Sequence, residues 1–213
     1  EILFHKSITE ILTENKLSNY LLKSTNLWDP IHHNDIQPAL KTTRYYRKDD
    51  VFLSNRHLSN IIHYRPSTNV VMDIIEGPFV SQHDVDFLND STLVLFNNNY
   101  YVQGREDYDR APPQDSSRLA YAGDLWSNIV AYRLWDKKFD FIGDSIFRAN
   151  KIFTYTEGLQ EFLDEETFFV EEQNTGVQWI LQSDSVIYRG VYESQHEGYH
   201  HLSNWTRIIQ DYD

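Results

Sequence analysis

Residues Gly77–Asn99 read GPFVSQHDVDFLNDSTLVLFNNN, and the alternation in this stretch decides the fold. A turn pair, Gly77-Pro78, precedes a histidine set between hydrogen-bonding neighbours in Gln82-His83-Asp84. Apolar residues then alternate at Val85 and Phe87, a polar turn follows at Asn89-Asp90-Ser91, and Thr92–Phe96 supplies a second apolar run. Alternation, tight turn and second run together specify a β-hairpin with the histidine at its mouth.

The flanking sequence repeats this plan. An earlier unit runs His32-His33-Asn34-Asp35-Ile36-Gln37, then Asp49-Asp50-Val51-Phe52-Leu53-Ser54, then Ile61-Ile62-His63-Tyr64-Arg65. A later one runs Glu157-Gly158-Leu159-Gln160-Glu161-Phe162, then Asp164–Val170, then Gly176–Ile180. In the central unit the third strand is Asn128–Arg133, and Val70–Ile74, Phe139–Gly143 and Val186–Gly190 supply fourth strands. Four short antiparallel strands recurring at intervals of about 50–75 residues predict an all-β fold of β-propeller blades. A β-sandwich has similar strands but has no reason to repeat the residues at the start of each first strand.

The boundaries follow: an N-terminal segment over 1–28, blades over 29–76, 77–150 and 151–213, and an insertion over 100–127 in the middle blade. That insertion carries Ala-Pro-Pro and clustered charges and is too polar for a core. In the N-terminal segment Ser7-Ile8-Thr9-Glu10 has the form of a capping box, and Ile8, Ile11 and Leu12 follow at helical spacing. A short helix over about residues 8–15 is expected, with Leu17–Ser24 as a possible extension and Glu1–His5 as a short strand.

Composition narrows the function classes. The 213 residues are 15% aromatic, which suits pleated, half-buried surfaces. A formal charge of −13 without a basic stripe argues against a nucleic-acid partner. The absence of Cys excludes disulfides, thiolate metal sites and thiol nucleophiles. No apolar run approaches the roughly 20 residues that span a bilayer, so no membrane insertion is expected. A start at Glu1 without Met reads as a processed product or a piece of a longer protein.

Innermost propeller strands begin at the central channel, so their first residues converge. The mouths hold His32, His33 and Asn34, then His83, then Thr156 and Glu157, with Arg56 closing a second strand in Ser54-Asn55-Arg56-His57. Histidines, an amide and a forked guanidinium around one cavity suit an anionic group with tetrahedral oxygens. Taken singly, each has a plainer reading: His83 as a turn residue, Arg56 as an ion-paired strand end. Adjacent His32 and His33 on a strand would point to opposite faces, so no metal is assigned to them. His196, His200 and His201 read as a loop, and no phosphate loop or serine nucleophile elbow is present.

Asp29-Pro30-Ile31-His32-His33-Asn34-Asp35-Ile36, then Val51–Ser59 with Ser54-Asn55-Arg56-His57, then Gly77-Pro78-Phe79 with Gln82-His83-Asp84, resemble the bacterial arylsulfotransferases, matching the C-terminal half of that family over most of 29–180. The resemblance implies a six-bladed propeller that moves a sulfuryl group from an aryl sulfate to a phenol without metal or organic cofactor. It makes His83 the transiently sulfurylated histidine, His32 and Asn34 the His-x-Asn pair, and Arg56 the sulfate-binding arginine. His33 occupies the variable position and takes no role. It further implies a periplasmic or extracellular setting, and further blades or self-association to close the ring. The family's N-terminal blades have no counterpart here, and the segment between Asn34 and Arg56 carries an insertion rich in Arg, Lys and Tyr. The alternative is a non-catalytic propeller that keeps the blades and uses an acidic surface for binding.

Overall fold

A computed structural model describes residues 4–24, 26, 28–100, 126–203 and 205–209. Among the described residues, twelve strands form three four-stranded sheets, each in sequential order. The first contains β1 (His33–Pro38), β2 (Val51–Asn55), β3 (Asn60–Arg65) and β4 (Val70–Glu76). The second contains β5 (His83–Asn89), β6 (Thr92–Asn97), β7 (Asn128–Arg133) and β8 (Lys138–Ile142). The third contains β9 (Leu159–Phe162), β10 (Thr167–Glu172), β11 (Val177–Gln182) and β12 (Ser185–Val191). All neighbouring strands pair antiparallel. These are blade-like sheets, as the repeat predicts.

Burial explains the strand compositions. The middle strands β2, β3, β6 and β7 are buried almost throughout, because another layer covers each face. They therefore read as near-continuous apolar runs rather than clean alternations. The outer strands β8 and β12 are mostly exposed, and they present apolar side chains such as Phe141, Ile187 and Tyr188 as well as polar ones. One core layer sets Phe52, Ile61 and Ile75 of the first sheet against Val85, Leu93, Leu95 and Val130 of the second. A second layer packs Val94, Phe96 and Ile129 against Phe168, Val170, Trp179 and Leu181 of the third sheet.

Two aspartates fasten the innermost strands to one another. Asp35 Oδ2 on β1 accepts the Val85 N–H of β5 at 2.7 Å, and Asp84 Oδ2 accepts the Gln160 N–H of β9, also at 2.7 Å. Asp35 and Asp84 occupy matching positions in their repeats, so the same latch recurs from sheet to sheet.

The helix over Ile8–Glu14 (α1) forms with its capping box complete: Ser7 Oγ accepts the Glu10 N–H, and the Glu10 carboxylate accepts the Ser7 N–H. Ile11 and Leu12 pack on Leu53, Leu58, Ile62 and Tyr64, so α1 covers the outer face of the first sheet. The suggested extension is instead a separate 3-10 turn, Ser18–Leu22, because Lys16 takes φ 61 and ends the α-helical path. No strand forms at Phe4 and His5, and Glu1–Leu3 lie outside the described residues. A second short helix, α2 (Asp144–Asn150), was not expected; its buried Ile146 and Phe147 enter the second core layer. Of the anticipated insertion, 101–125 lie outside the described residues.

Asp50, immediately before β2, ties together residues around that end of the sheet. It is 1% exposed and accepts two hydrogen bonds from Arg65, both at 2.7 Å, one at 3.0 Å from His63 and one from the Arg47 N–H. Burial opposes its ionisation, but the Arg65 pair, the Arg47 N–H and His63 together lower its pKa to about 2. Asp50→Ala strands these partners and is expected to cost about 3 kcal/mol in urea unfolding. The folded pKa is the depressed one, so this contribution is present above the unfolded value near 3.8 and lost as pH falls through about 2.

Candidate active site

Antiparallel pairing brings the start of each innermost strand beside the end of the next. His33 faces Asn55 across the β1–β2 pair, and His83 faces Phe96 across the β5–β6 pair. The residues just before the first strands and just after the second strands therefore gather at one end of the sheets. His32, Arg56, His57, His83 and Asn98 all lie there.

His83 opens β5 at this end of the sheets and is only 3% exposed, so the residue at the hairpin mouth is also part of the buried interior. Its Nδ1 lies 2.7 Å from Asn98 Oδ1 and 3.1 Å from the Ser81 carbonyl. The orientation of the Asn98 amide is set by its other end, where Nδ2 donates to the carbonyls of Thr154 at 2.9 Å and Glu157 at 2.5 Å. Oδ1 can then only accept, as can the Ser81 carbonyl, so Nδ1 of His83 carries the proton. The lone pair is on Nε2, which has no hydrogen-bond partner among the described residues. Burial, with Arg56 and His32 nearby, lowers the His83 pKa to about 3 against the opposing Asn98 bond. The imidazole is neutral across the physiological range.

A second chain of bonds runs through Arg56. Asn55–Arg56 leaves β2 into a 3-10 turn, Arg56–Leu58, closed by Ser59 in the left-handed region. Arg56 is 2% exposed; its Nη1 donates to His57 Nε2 at 2.8 Å and its Nη2 to the Tyr155 carbonyl at 3.2 Å. His57 Nδ1 donates in turn to the Asp29 carbonyl at 2.5 Å. A donor-only guanidinium on one nitrogen and an acceptor-only carbonyl on the other fix this ring as the Nδ1–H tautomer. Burial lowers the His57 pKa to about 4, opposed by the bond to Asp29 and assisted by Arg56.

The His32 ring lies tilted at 38° against the His57 ring, centroids 4.4 Å apart, and its Nδ1 meets Asp29 Oδ2 at 2.5 Å. The expectation that His32 and His33 share a strand is corrected: His32 has φ 47 and precedes β1, which begins at His33. His33 turns away, its Nδ1 on the Ser54 carbonyl. Asn34 donates Nδ2 to the Gln82 carbonyl at 2.7 Å, so it ties the first sheet to the residue before His83. Thr156 Oγ1 accepts from Asn174. Burial and Glu171 raise the Glu157 carboxyl, with Arg56 and His32 pulling the other way. The structure thus brings His32, Arg56 and His83 into one electrostatic neighbourhood and sets Asn34 against the backbone beside His83.

Three contributors were not assigned by the sequence reading. His57 stood next to Arg56 in the quoted motif, and Asp29 stood three residues before His32, a spacing that permits a side chain to bond back to its own turn. Asn98 lay in the run Asn97-Asn98-Asn99, with nothing to single it out. Asp29, His32 and His57 offer ligand atoms within 4.8 Å of one another. Their Nδ1 and carboxylate atoms are already hydrogen-bonded to each other or to the chain, and the adjoining guanidinium opposes a divalent cation. The cluster is a hydrogen-bonded network joining His32, Asp29, His57 and Arg56.

Residues 1–186 match the protein-family model described as Arylsulfotransferase (ASST). No curated protein matches the chain.

Proposed function

Because this chain belongs to the arylsulfotransferase family, we propose that it transfers a sulfuryl group from an aryl sulfate to a phenol through a sulfo-histidine at His83. The observation that carries the reading is the fixed Nδ1–H tautomer of a neutral, buried His83. In the first half-reaction the Nε2 lone pair attacks sulfur, the N–S bond forms and the S–O bond to the aryl group breaks. The departing phenolate oxygen takes a proton from Nε2 of His32. In the second half, a phenol oxygen attacks sulfur, its proton passes to His32 Nε2, and the N–S bond breaks with its electron pair returning to His83.

Each neighbour has a physical task. The sulfurylated imidazole becomes cationic, and Asn98 Oδ1 with the Ser81 carbonyl accepts its remaining N–H. Arg56 stabilises charge on the sulfuryl oxygens, held in aim by His57 and Tyr155. Asn34 assists by fixing the backbone that carries His83. Covalent transfer of this kind predicts ping-pong kinetics. In the same reading the three sheets are half of a six-bladed ring, completed by further blades or by a second copy of the chain.

Incubation with 4-nitrophenyl sulfate alone tests the mechanism. Mass spectrometry is expected to show one added sulfuryl group on the peptide containing His83, removed on addition of phenol. Transfer that proceeds with no such adduct at rapid quench would overturn the covalent route.

A further inference from the structure

Asp29 joins His32 to the Arg56–His57 chain of hydrogen bonds. Its Oδ2 meets His32 Nδ1 at 2.5 Å, and its Oδ1 accepts the His32 main-chain N–H at 3.1 Å. The same residue's carbonyl accepts from His57, the ring that receives Arg56 Nη1. His32 is thereby held at two points in a left-handed backbone conformation, one that a non-glycine residue adopts only when its surroundings impose it. Asn26 completes the turn from the other side, its Oδ1 accepting the N–H groups of Trp28 at 2.9 Å and Asp29 at 3.1 Å.

From this geometry we infer that Asp29 is the positioning residue of the proton shuttle: its carboxylate fixes His32 as the Nδ1–H tautomer and turns Nε2 toward the reacting oxygen. The inference rests on the sulfuryl-transfer reading above. An imidazole that gives a proton from Nε2 and later regains it there must keep its other proton on Nδ1 throughout. A carboxylate on Nδ1 does this in both protonation states, because it accepts from the imidazolium and from the neutral ring alike. It also offsets the positive charge while both nitrogens are protonated. The two roles of Asp29 separate chemically. The side chain bonds His32 and only approaches His57 Nδ1, at 3.9 Å, whereas the main-chain carbonyl accepts the His57 hydrogen bond and survives any substitution of the side chain.

Asp29→Asn keeps the size of the side chain and removes its charge; the side chain is half exposed, so the fold tolerates the change. The test compares phenyl sulfate, whose leaving group needs a proton, with 4-nitrophenyl sulfate, whose leaving group needs it far less. The variant's kcat is expected to fall about tenfold further with phenyl sulfate than with the nitrophenyl ester, a fraction of the full acid–base effect. Its KM for donor should stay within about twofold, since the Arg56 chain is intact. In parallel, ¹⁵N shifts of His32 are expected to move from a single Nδ1–H tautomer toward a mixture. Equal falls with both donors, no fall at all, or unchanged ¹⁵N shifts would overturn the assignment. Wild-type protein inactive with both donors would defeat the transfer reading itself. The ¹⁵N comparison then still decides whether Asp29 controls His32.

Discussion

His83→Gln is expected to lower sulfuryl transfer by about 10⁴-fold or more, as loss of a covalent nucleophile does elsewhere. Glutamine is the informative replacement because His83 is buried and bonded at Nδ1. Its amide can still donate to Asn98, whereas alanine would leave Asn98 Oδ1 without a partner and create a cavity. The adduct on the His83 peptide should vanish with the activity. A variant that folds, carries no adduct and still transfers at the wild-type rate would end the mechanism. The same substitution has a second signature, in stability against pH. The folded His83 pKa is depressed to about 3, so the unfolded chain binds a proton as pH falls through about 6.5 while the folded protein does not. Stability is therefore lost on acidification from about 6.5 down to about 3, at up to ~1.4 kcal/mol per pH unit. Glutamine does not titrate, so its stability deficit relative to wild type should shrink by about 2 kcal/mol between pH 7 and pH 5 in urea melts.

The sheets were legible because their signal is local. Val85, Phe87 and the Asn89-Asp90-Ser91 turn announce a hairpin within a few residues, and Leu93-Val94-Leu95-Phe96 announces a strand covered on both faces. The α2 helix was less so: it has seven residues and no side-chain N-cap, with Gly143 in the left-handed region before it. Its place depends on Asp144 accepting from Trp126 and Asn128, contacts made across the fold. The site divides in the same way. His32, Asn34, Arg56 and His83 could be picked out as polar residues at repeated positions, since blade geometry turns sequence position into spatial convergence. What they touch could not. Asn98 reaches Glu157 across 59 residues and Arg56 reaches Tyr155 across 99. Such pairings exist only once neighbouring sheets have docked, so tautomers and charge states were beyond the sequence.

Arg56→Ala is expected to lower kcat/KM by about 10²–10³, the usual loss when one preorganised donor to a developing charge is removed. The effect should fall short of that for His83, because Arg56 forms no bond to sulfur. The substitution also leaves His57 Nε2 and the Tyr155 carbonyl without their donor, at a stability cost of about 2 kcal/mol. A urea melt must therefore accompany the kinetics. Arg56→Lys separates charge from shape. A single ammonium keeps the positive potential beside His83, but it cannot bond His57, Tyr155 and a sulfuryl oxygen in the forked geometry of guanidinium. Lysine should recover about tenfold of the lost rate and no more, with KM for donor still raised. Full recovery by lysine would mean that charge alone matters. Undiminished transfer by a folded Arg56→Ala protein would reduce Arg56 to a buried strand-end tether between the first and third sheets, and the sulfuryl oxygens would need another partner.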